Sequence, residues 1–86
     1  AAARELVGED IELAVDGGLS LDVDYIVRLS DILRPFRVKW LEDFLSPMDL
    51  AGYAEVRRQV PWLTLASGEH WYGVPTFARA AAQVVK

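Results

Sequence analysis

Three carboxylates in this chain, Asp16, Glu42 and Glu69, recur at steps of 26 and 27 residues, close to the length of one strand–helix unit with short loops. Each follows an apolar, β-prone stretch: Ile11-Glu-Leu-Ala-Val15, Val38-Lys-Trp-Leu41 and Leu63-Thr-Leu-Ala-Ser-Gly68. Each is followed in turn by a loop and a helical pattern. Successive βα units build a parallel sheet, and such sheets gather their functional groups at the strand C-termini. Three hard anionic oxygen donors delivered to one rim suit a divalent, oxygen-preferring cation such as Mg²⁺.

The elements that must position these acids are legible in outline. Ala1-Ala-Ala-Arg-Glu-Leu-Val7 is rich in helix formers, with Gly8 where a C-terminal glycine cap belongs. Strands are expected over residues 11–16, 38–42 and 63–67. Asp16-Gly17-Gly18 supplies the backbone freedom for a sharp turn or close approach to a ligand. Ser20 is the expected cap of the next helix, with Asp22 in its first turn. Val23, Ile26, Val27 and Leu33 share its apolar face, and Pro35 is expected to stop it.

Ser46-Pro47-Met48-Asp49 reads as the next helix start, with a cap, a proline at the first helical position and an acid three residues on. Leu50, Tyr53 and Ala54 are its buried face, and Pro61 closes it. Pro75 opens a last helix, with Phe77, Ala80, Ala81 and Val84 on one side. The order is αβαβαβα, and the fold class is α/β with about three consecutive parallel βα units. A slice of a closed TIM-like (β/α) barrel is the expected form, and a small open three-layer sandwich is the alternative. In either case the outer strands have bare edges if the chain stands alone.

At 86 residues the chain is far shorter than a whole barrel, about 250 residues. Its 52% hydrophobic content suits strands covered on both sides or a piece of a larger core. A net charge of −4 with dispersed Lys and Arg leaves no electrostatic footprint for nucleic acid. Cysteine is absent, which excludes disulfides and thiolate metal sites. No apolar run reaches the roughly 20 residues of a membrane span, and the N-terminus has no signal-peptide pattern. The expected setting is the cytoplasm, with no membrane partner.

Val15-Asp16, Lys39-Trp40-Leu41-Glu42-Asp43 and Ala66-Ser67-Gly68-Glu69-His70 resemble the three metal-ligand segments of the mandelate racemase/muconate lactonizing branch of the enolase superfamily. The resemblance runs over essentially the whole chain, so that residues 1–86 are expected to be part of that family's C-terminal barrel domain. The Gly-Glu-His-Trp-Tyr version is most similar to sugar-acid dehydratases of the rhamnonate dehydratase type. The resemblance implies Mg²⁺ held by Asp16, Glu42 and Glu69. It also implies abstraction of an α-proton from a carboxylate substrate through a metal-stabilised enediolate, with loss of a 3-hydroxyl to give a 2-keto-3-deoxy sugar acid. The partner is a small sugar acid, and the longer parent is expected to be a homo-oligomer.

Two departures stand out: Gly18 occupies a place where many members have Asn, and Asp43-Phe44 replaces the common Glu-Pro. The family's bases lie on strands outside this segment, as does the capping domain that sets specificity.

His70, the sole histidine, is the candidate catalytic side chain, able to polarise or protonate substrate; orienting a neighbouring ligand is its other reading. Asp43 is either an outer acceptor or a solvated loop acid. Trp71 and Tyr72 either line a pocket or pack under their loop. Strand alternation puts Lys39 on the face opposite Glu42 and Trp40 on the same face. Arg57-Arg58 reads as a solvated helix face. Racemase, epimerase or cycloisomerase chemistry would use the same metal site. A non-catalytic, self-associating barrel fragment is the reading from another functional class.

Overall fold

The computed structural model describes residues 2–19 and 21–84. The elements run α1 (Ala2–Val7), β1 (Val15–Asp16), α2 (Val23–Leu33), a 3₁₀ turn (Arg34–Phe36), β2 (Trp40–Glu42), α3 (Leu50–Gln59), β3 (Thr64–Ala66) and α4 (Val74–Gln83). The three strands form one parallel sheet in sequential order β1-β2-β3, as expected. Val15 pairs with Leu41 and Asp16 with Glu42, while Trp40, Leu41 and Glu42 pair with Thr64, Leu65 and Ala66. Asp16 and Glu42 therefore stand side by side at the C-terminal ends of neighbouring strands.

Strand alternation divides the sheet into two faces. Leu41 is fully buried on the helix-covered face, in a core with Ile26, Phe44, Leu45, Tyr53, Val56, Val60 and Leu63, and Val15 and Leu65 pack against it. Asp16, Trp40, Glu42, Thr64 and Ala66 share the other face, which no described helix covers, and all are exposed or half-exposed.

The regular ladder is shorter than the apolar runs suggest, and each shortening has a cause. Arg4, buried on α1, spends its guanidinium on four backbone carbonyls: Phe36 (3.0 Å), Gly8 (3.0 Å), Ile11 (2.6 Å) and Arg37 (3.1 Å). The Ile11 carbonyl is thereby taken from any ladder, and among the described residues only one backbone bond, from the Lys39 N–H to the Leu13 carbonyl, ties this stretch to the entry of β2 before Val15. Leu63 likewise turns its N–H back to Val60 (3.2 Å), so β3 begins at Thr64.

Helix boundaries differ in the same local way. The expected cap Ser20 lies outside the described residues; Asp22 caps α2, accepting the Tyr25 N–H at 2.8 Å. The helical run does not stop at Pro35 but tightens through it into the 3₁₀ turn, which Arg37 ends at φ 53° with its N–H on the Arg34 carbonyl. Ser46 does not cap α3. Its carbonyl accepts the Asp49 N–H (3.0 Å), making residues 46–49 a turn, and Asp49 caps the helix through the Gly52 N–H (2.9 Å).

The buried face of α3 is Leu50, Gly52, Tyr53 and Val56, with Ala54 half-buried, and on α2 Ser30 is buried beside Ile26. On α4, Ala80 is buried and Val84 packs on the core, but Ala81 is exposed and Phe77 leans on Trp71 instead, with ring centroids 5.5 Å apart. Gly8 does end α1, at φ 81° with its N–H on the Arg4 carbonyl.

Candidate metal centre

The loops that leave β1 and β2 continue the pairing of their strands. Gly17 N–H reaches the Glu42 carbonyl (2.7 Å), Leu19 that of Asp43 (2.7 Å) and Leu21 that of Phe44 (3.1 Å), while Asp43 donates to Ala66 (3.1 Å). The two loops approach so closely that a Cβ on Gly17 would lie 2.6 Å from the Phe44 Cα, which only glycine avoids.

On this scaffold Asp16, Glu42, Asp43 and Glu69 each present a carboxylate oxygen, all within 4.8 Å of one another. The three acids singled out from the sequence thus meet at one point. They line or adjoin a shallow depression of about 200 Å³ bounded by Glu42, Asp43, Ala66, Ser67 and Glu69.

Two of the acids have their rotamers fixed by local donors. Asp16 accepts the Gly18 N–H (2.9 Å), so the backbone of the residue in the common asparagine place holds this carboxylate. Trp40, on the same face as Glu42 as alternation requires, donates its indole N–H to a Glu42 oxygen at 3.0 Å. The Asp43 carboxylate accepts the Ser67 hydroxyl at 2.9 Å and is 2% exposed, so it is no solvated loop acid.

Asp43 is the member that strand periodicity conceals. In a straight strand residues 42 and 43 point to opposite faces. Asp43 has φ 46°, a left-handed conformation that aspartate tolerates better than most residues, and the bend brings both consecutive carboxylates into one cluster. Nothing in the apolar pattern announces that bend. Ser67 is a second functional contributor that the motif reading passed over; its position directly before the Gly68-Glu69 pair was the available signal.

The electrostatics follow from the crowding. The Glu69 carboxyl is raised above its usual range, first by a hydrogen bond shared with the Asp43 carboxyl and then by that group's negative charge. His70 acts in the opposite direction, and desolvation and Glu42 add to the rise. His70 Nε2 stands 3.8 Å from a Glu69 oxygen, beyond hydrogen-bond reach, at the exposed margin of the cluster.

Trp71 packs under its loop: its indole N–H is on the Pro47 carbonyl (2.9 Å) and its ring lies edge-on to Tyr53 and Phe77. Tyr72 is exposed. Lys39 pairs with Glu12 (2.9 Å), away from the acids, and Arg58 pairs with Glu55. Asp16, Glu42, Asp43 and Glu69 offer only carboxylate oxygens, the hard set that suits Mg²⁺ and Ca²⁺, while a ring nitrogen of His70 groups with Asp43 and Glu69 at the margin. The donor chemistry therefore fits the ion implied by the motifs.

The chain matches the enolase C-terminal domain-like family over residues 1–85. It belongs to the enolase superfamily. Among curated proteins it is 43% identical over 68 residues to L-rhamnonate dehydratase of Saccharopolyspora erythraea, covering 78% of this chain and 17% of that protein. Among solved structures, rhamnonate dehydratase from Gibberella zeae complexed with Mg superposes with a TM-score of 0.90 at 33% identity, over 94% of this chain and 20% of that one. A racemase from Streptomyces coelicolor A3(2) with bound magnesium gives a TM-score of 0.89 at 33% identity, over 95% of this chain and 23% of that one. These likenesses support the mandelate racemase/muconate lactonizing branch and make the three-stranded sheet the counterpart of consecutive βα units in the superfamily barrel. The chain spans about a fifth of its relatives' length. Among the described residues, no helix of this superfamily segment is long and apolar enough to cross a membrane.

Proposed function

We propose that this chain is the metal-bearing segment of a Mg²⁺-dependent sugar-acid dehydratase, a cytoplasmic lyase, with Asp16, Glu42 and Glu69 as the protein ligands. The observation that carries the reading is the convergence of these three carboxylates, two from the C-terminal ends of β1 and β2 and one from the turn that follows β3. Mg²⁺ bound there supplies electrostatic stabilisation of the charge that develops on a substrate carboxylate as its α-proton leaves.

The chain's own residues do the rest of what this segment can do. The Gly18 N–H orients Asp16 and the Trp40 indole orients Glu42, so two ligands are held before any ion arrives. The position of His70, exposed beside Glu69, supports the reading in which it polarises or protonates a substrate group. The base that removes the α-proton must come from strands beyond this segment. The 86 residues alone are therefore expected to dehydrate no aldonic acid, whereas the full-length protein carrying them does so in a Mg²⁺-dependent way. Screening both against a sugar-acid library by 2-keto acid detection tests this. Turnover by the short chain, or a full-length enzyme indifferent to EDTA, overturns it.

Racemase chemistry is the second reading, favoured by the equally good superposition on the Streptomyces racemase. Epimer formation without a 2-keto product, followed by polarimetry, would select it.

A pH dependence follows from the crowded acids. A carboxyl with a raised folded-state pKa contributes stability that is present below its unfolded pKa and is lost as pH rises through the folded one. The metal-free fold is thus expected to gain stability on acidification through the raised Glu69 pKa. Cation binding has the opposite sign, since the ion must displace that proton. Thermal melts across this pH range, with and without Mg²⁺, should show the ion's stabilising effect fading at a pH above the ordinary carboxylate value of 4.5. A fade only below that value would contradict the coupling.

A further inference from the structure

Asp43 is a negative charge in an unusual position. It is 2% exposed, its carboxylate accepts the Ser67 hydroxyl and otherwise meets the Glu69 carboxyl, another acid, and among the described residues no Lys, Arg or His forms an ion pair with it. A buried carboxylate without a cation is costly unless something neutralises it.

Behind Ser67 the arrangement continues. The Ser67 hydroxyl has one proton, which goes to the anionic Asp43 oxygen at 2.9 Å, and its oxygen lies 3.3 Å from the Tyr53 hydroxyl. That phenol is fixed in turn by Leu45, whose N–H it accepts (3.3 Å) and to whose carbonyl it donates (3.0 Å). Tyr53 is 1% exposed on α3, its ring tilted at 52° against Phe44 with ring centroids 4.7 Å apart. The acid following Glu42 is therefore held by the Ser67 hydroxyl, which packs against the fixed Tyr53 phenol of the helix layer, at a rim where no cation forms an ion pair with it among the described residues.

Resting on the metal-site reading above, we infer that Ser67 and Tyr53 are positioning residues that aim the buried Asp43 carboxylate at the cation, so that Asp43 sets the site's metal affinity from behind the three ligands. Asp43 supplies the charge that draws a divalent ion in, and the ion supplies the neutralisation that a buried acid requires. The hydroxyl pair keeps that carboxylate from turning toward solvent, where its field would be screened.

The test is Mn²⁺ binding to the metal-stripped full-length protein, followed by the free-ion EPR signal, alongside thermal melts without metal. Asp43→Asn keeps the shape and the Ser67 contact but removes the charge, and Ser67→Ala removes the positioning hydroxyl. Each is expected to weaken Mn²⁺ about tenfold or more, the usual effect of losing an outer-shell partner. Ser67→Thr, which keeps the hydroxyl, restores affinity, and Tyr53→Phe gives a smaller loss. The metal-free melting temperature of Asp43→Asn stays level or rises, because repulsion among the acids is relieved.

Affinities of Asp43→Asn and Ser67→Ala within twofold of the unmodified protein overturn the inference. So does a variant that melts lower or fails to fold without the affinity loss, since that outcome assigns the pair to fold maintenance. An unmodified protein that binds no Mn²⁺ refutes the underlying metal reading instead, a result distinguishable from either.

Discussion

Replacing Glu42 by Gln in the full-length protein should abolish turnover while leaving the fold standing. Glu42 is central in the cluster, in register with Asp16 on one side and Ala66 on the other, and its oxygen already holds the Trp40 indole. Glutamine preserves the length and can still accept that N–H, so packing around β2 has no reason to change. What disappears is one anionic donor of the proposed Mg²⁺ site. Metal stabilisation of developing charge amounts to several kcal/mol, and every 1.36 kcal/mol is a factor of ten in rate. A loss of about a thousandfold or more in kcat is therefore expected, with weaker Mg²⁺ binding and no fall in the metal-free melting temperature. A variant that retains turnover and metal affinity would remove Glu42 from the site.

The largest stability effect should come from a residue at the opposite end of the sheet. Arg4→Ala deletes a guanidinium that bonds the Gly8, Ile11, Phe36 and Arg37 carbonyls, and so unfastens α1 from the turn that feeds β2 and from the entry to β1. Hydrogen bonds from charged donors are worth more than neutral ones, and the carbonyls left behind lose a shared buried partner. The cost should be about 2–4 kcal/mol, a large part of what a small domain has to spare. Arg4→Lys should recover little, because a single ammonium cannot reproduce the planar fork. Denaturant midpoints measure both. Since Arg4 lies at the strand N-termini, remote from the acids, the folded fraction of Arg4→Ala should keep its metal affinity. An unchanged midpoint would show that water replaces the fork at no cost.

Arg4 also illustrates what could not be read from residue types alone. An arginine in a short helix reads as solvated, and only the three-dimensional meeting of four carbonyls makes it internal. That meeting in turn shortens the first strand, which periodicity extends back to Ile11. The site divides along the same line. Asp16, Glu42, Glu69 and the Trp40 face were legible because a parallel sheet built from even βα steps puts strand-end residues on one rim. Asp43 stays divided in the sequence between an outer acceptor and a solvated loop acid, because a single left-handed residue inverts the alternation on which the reading rests. The turn at residues 46–49 misled in a related way: Ser46-Pro47 and Asp49 each qualify as a helix start, and the choice went to the residue whose carboxylate meets the Gly52 N–H. Local chemistry offered both, and packing of Leu50 and Tyr53 selected one.

The bonds from Gly17, Leu19 and Leu21 to the carbonyls of Glu42, Asp43 and Phe44 bear on how the rim moves. These amides lie in a connection that carries no regular secondary structure, yet each is locked as a strand amide would be. In deuterated water they should exchange with the slow cohort of the sheet rather than with surface loops, and they should open only when β1 and β2 part. A rim stapled in this way cannot serve as a moving flap. Opening and closing over the acids, whether to admit a small molecule or to expel water, must fall to chain that does not share these staples.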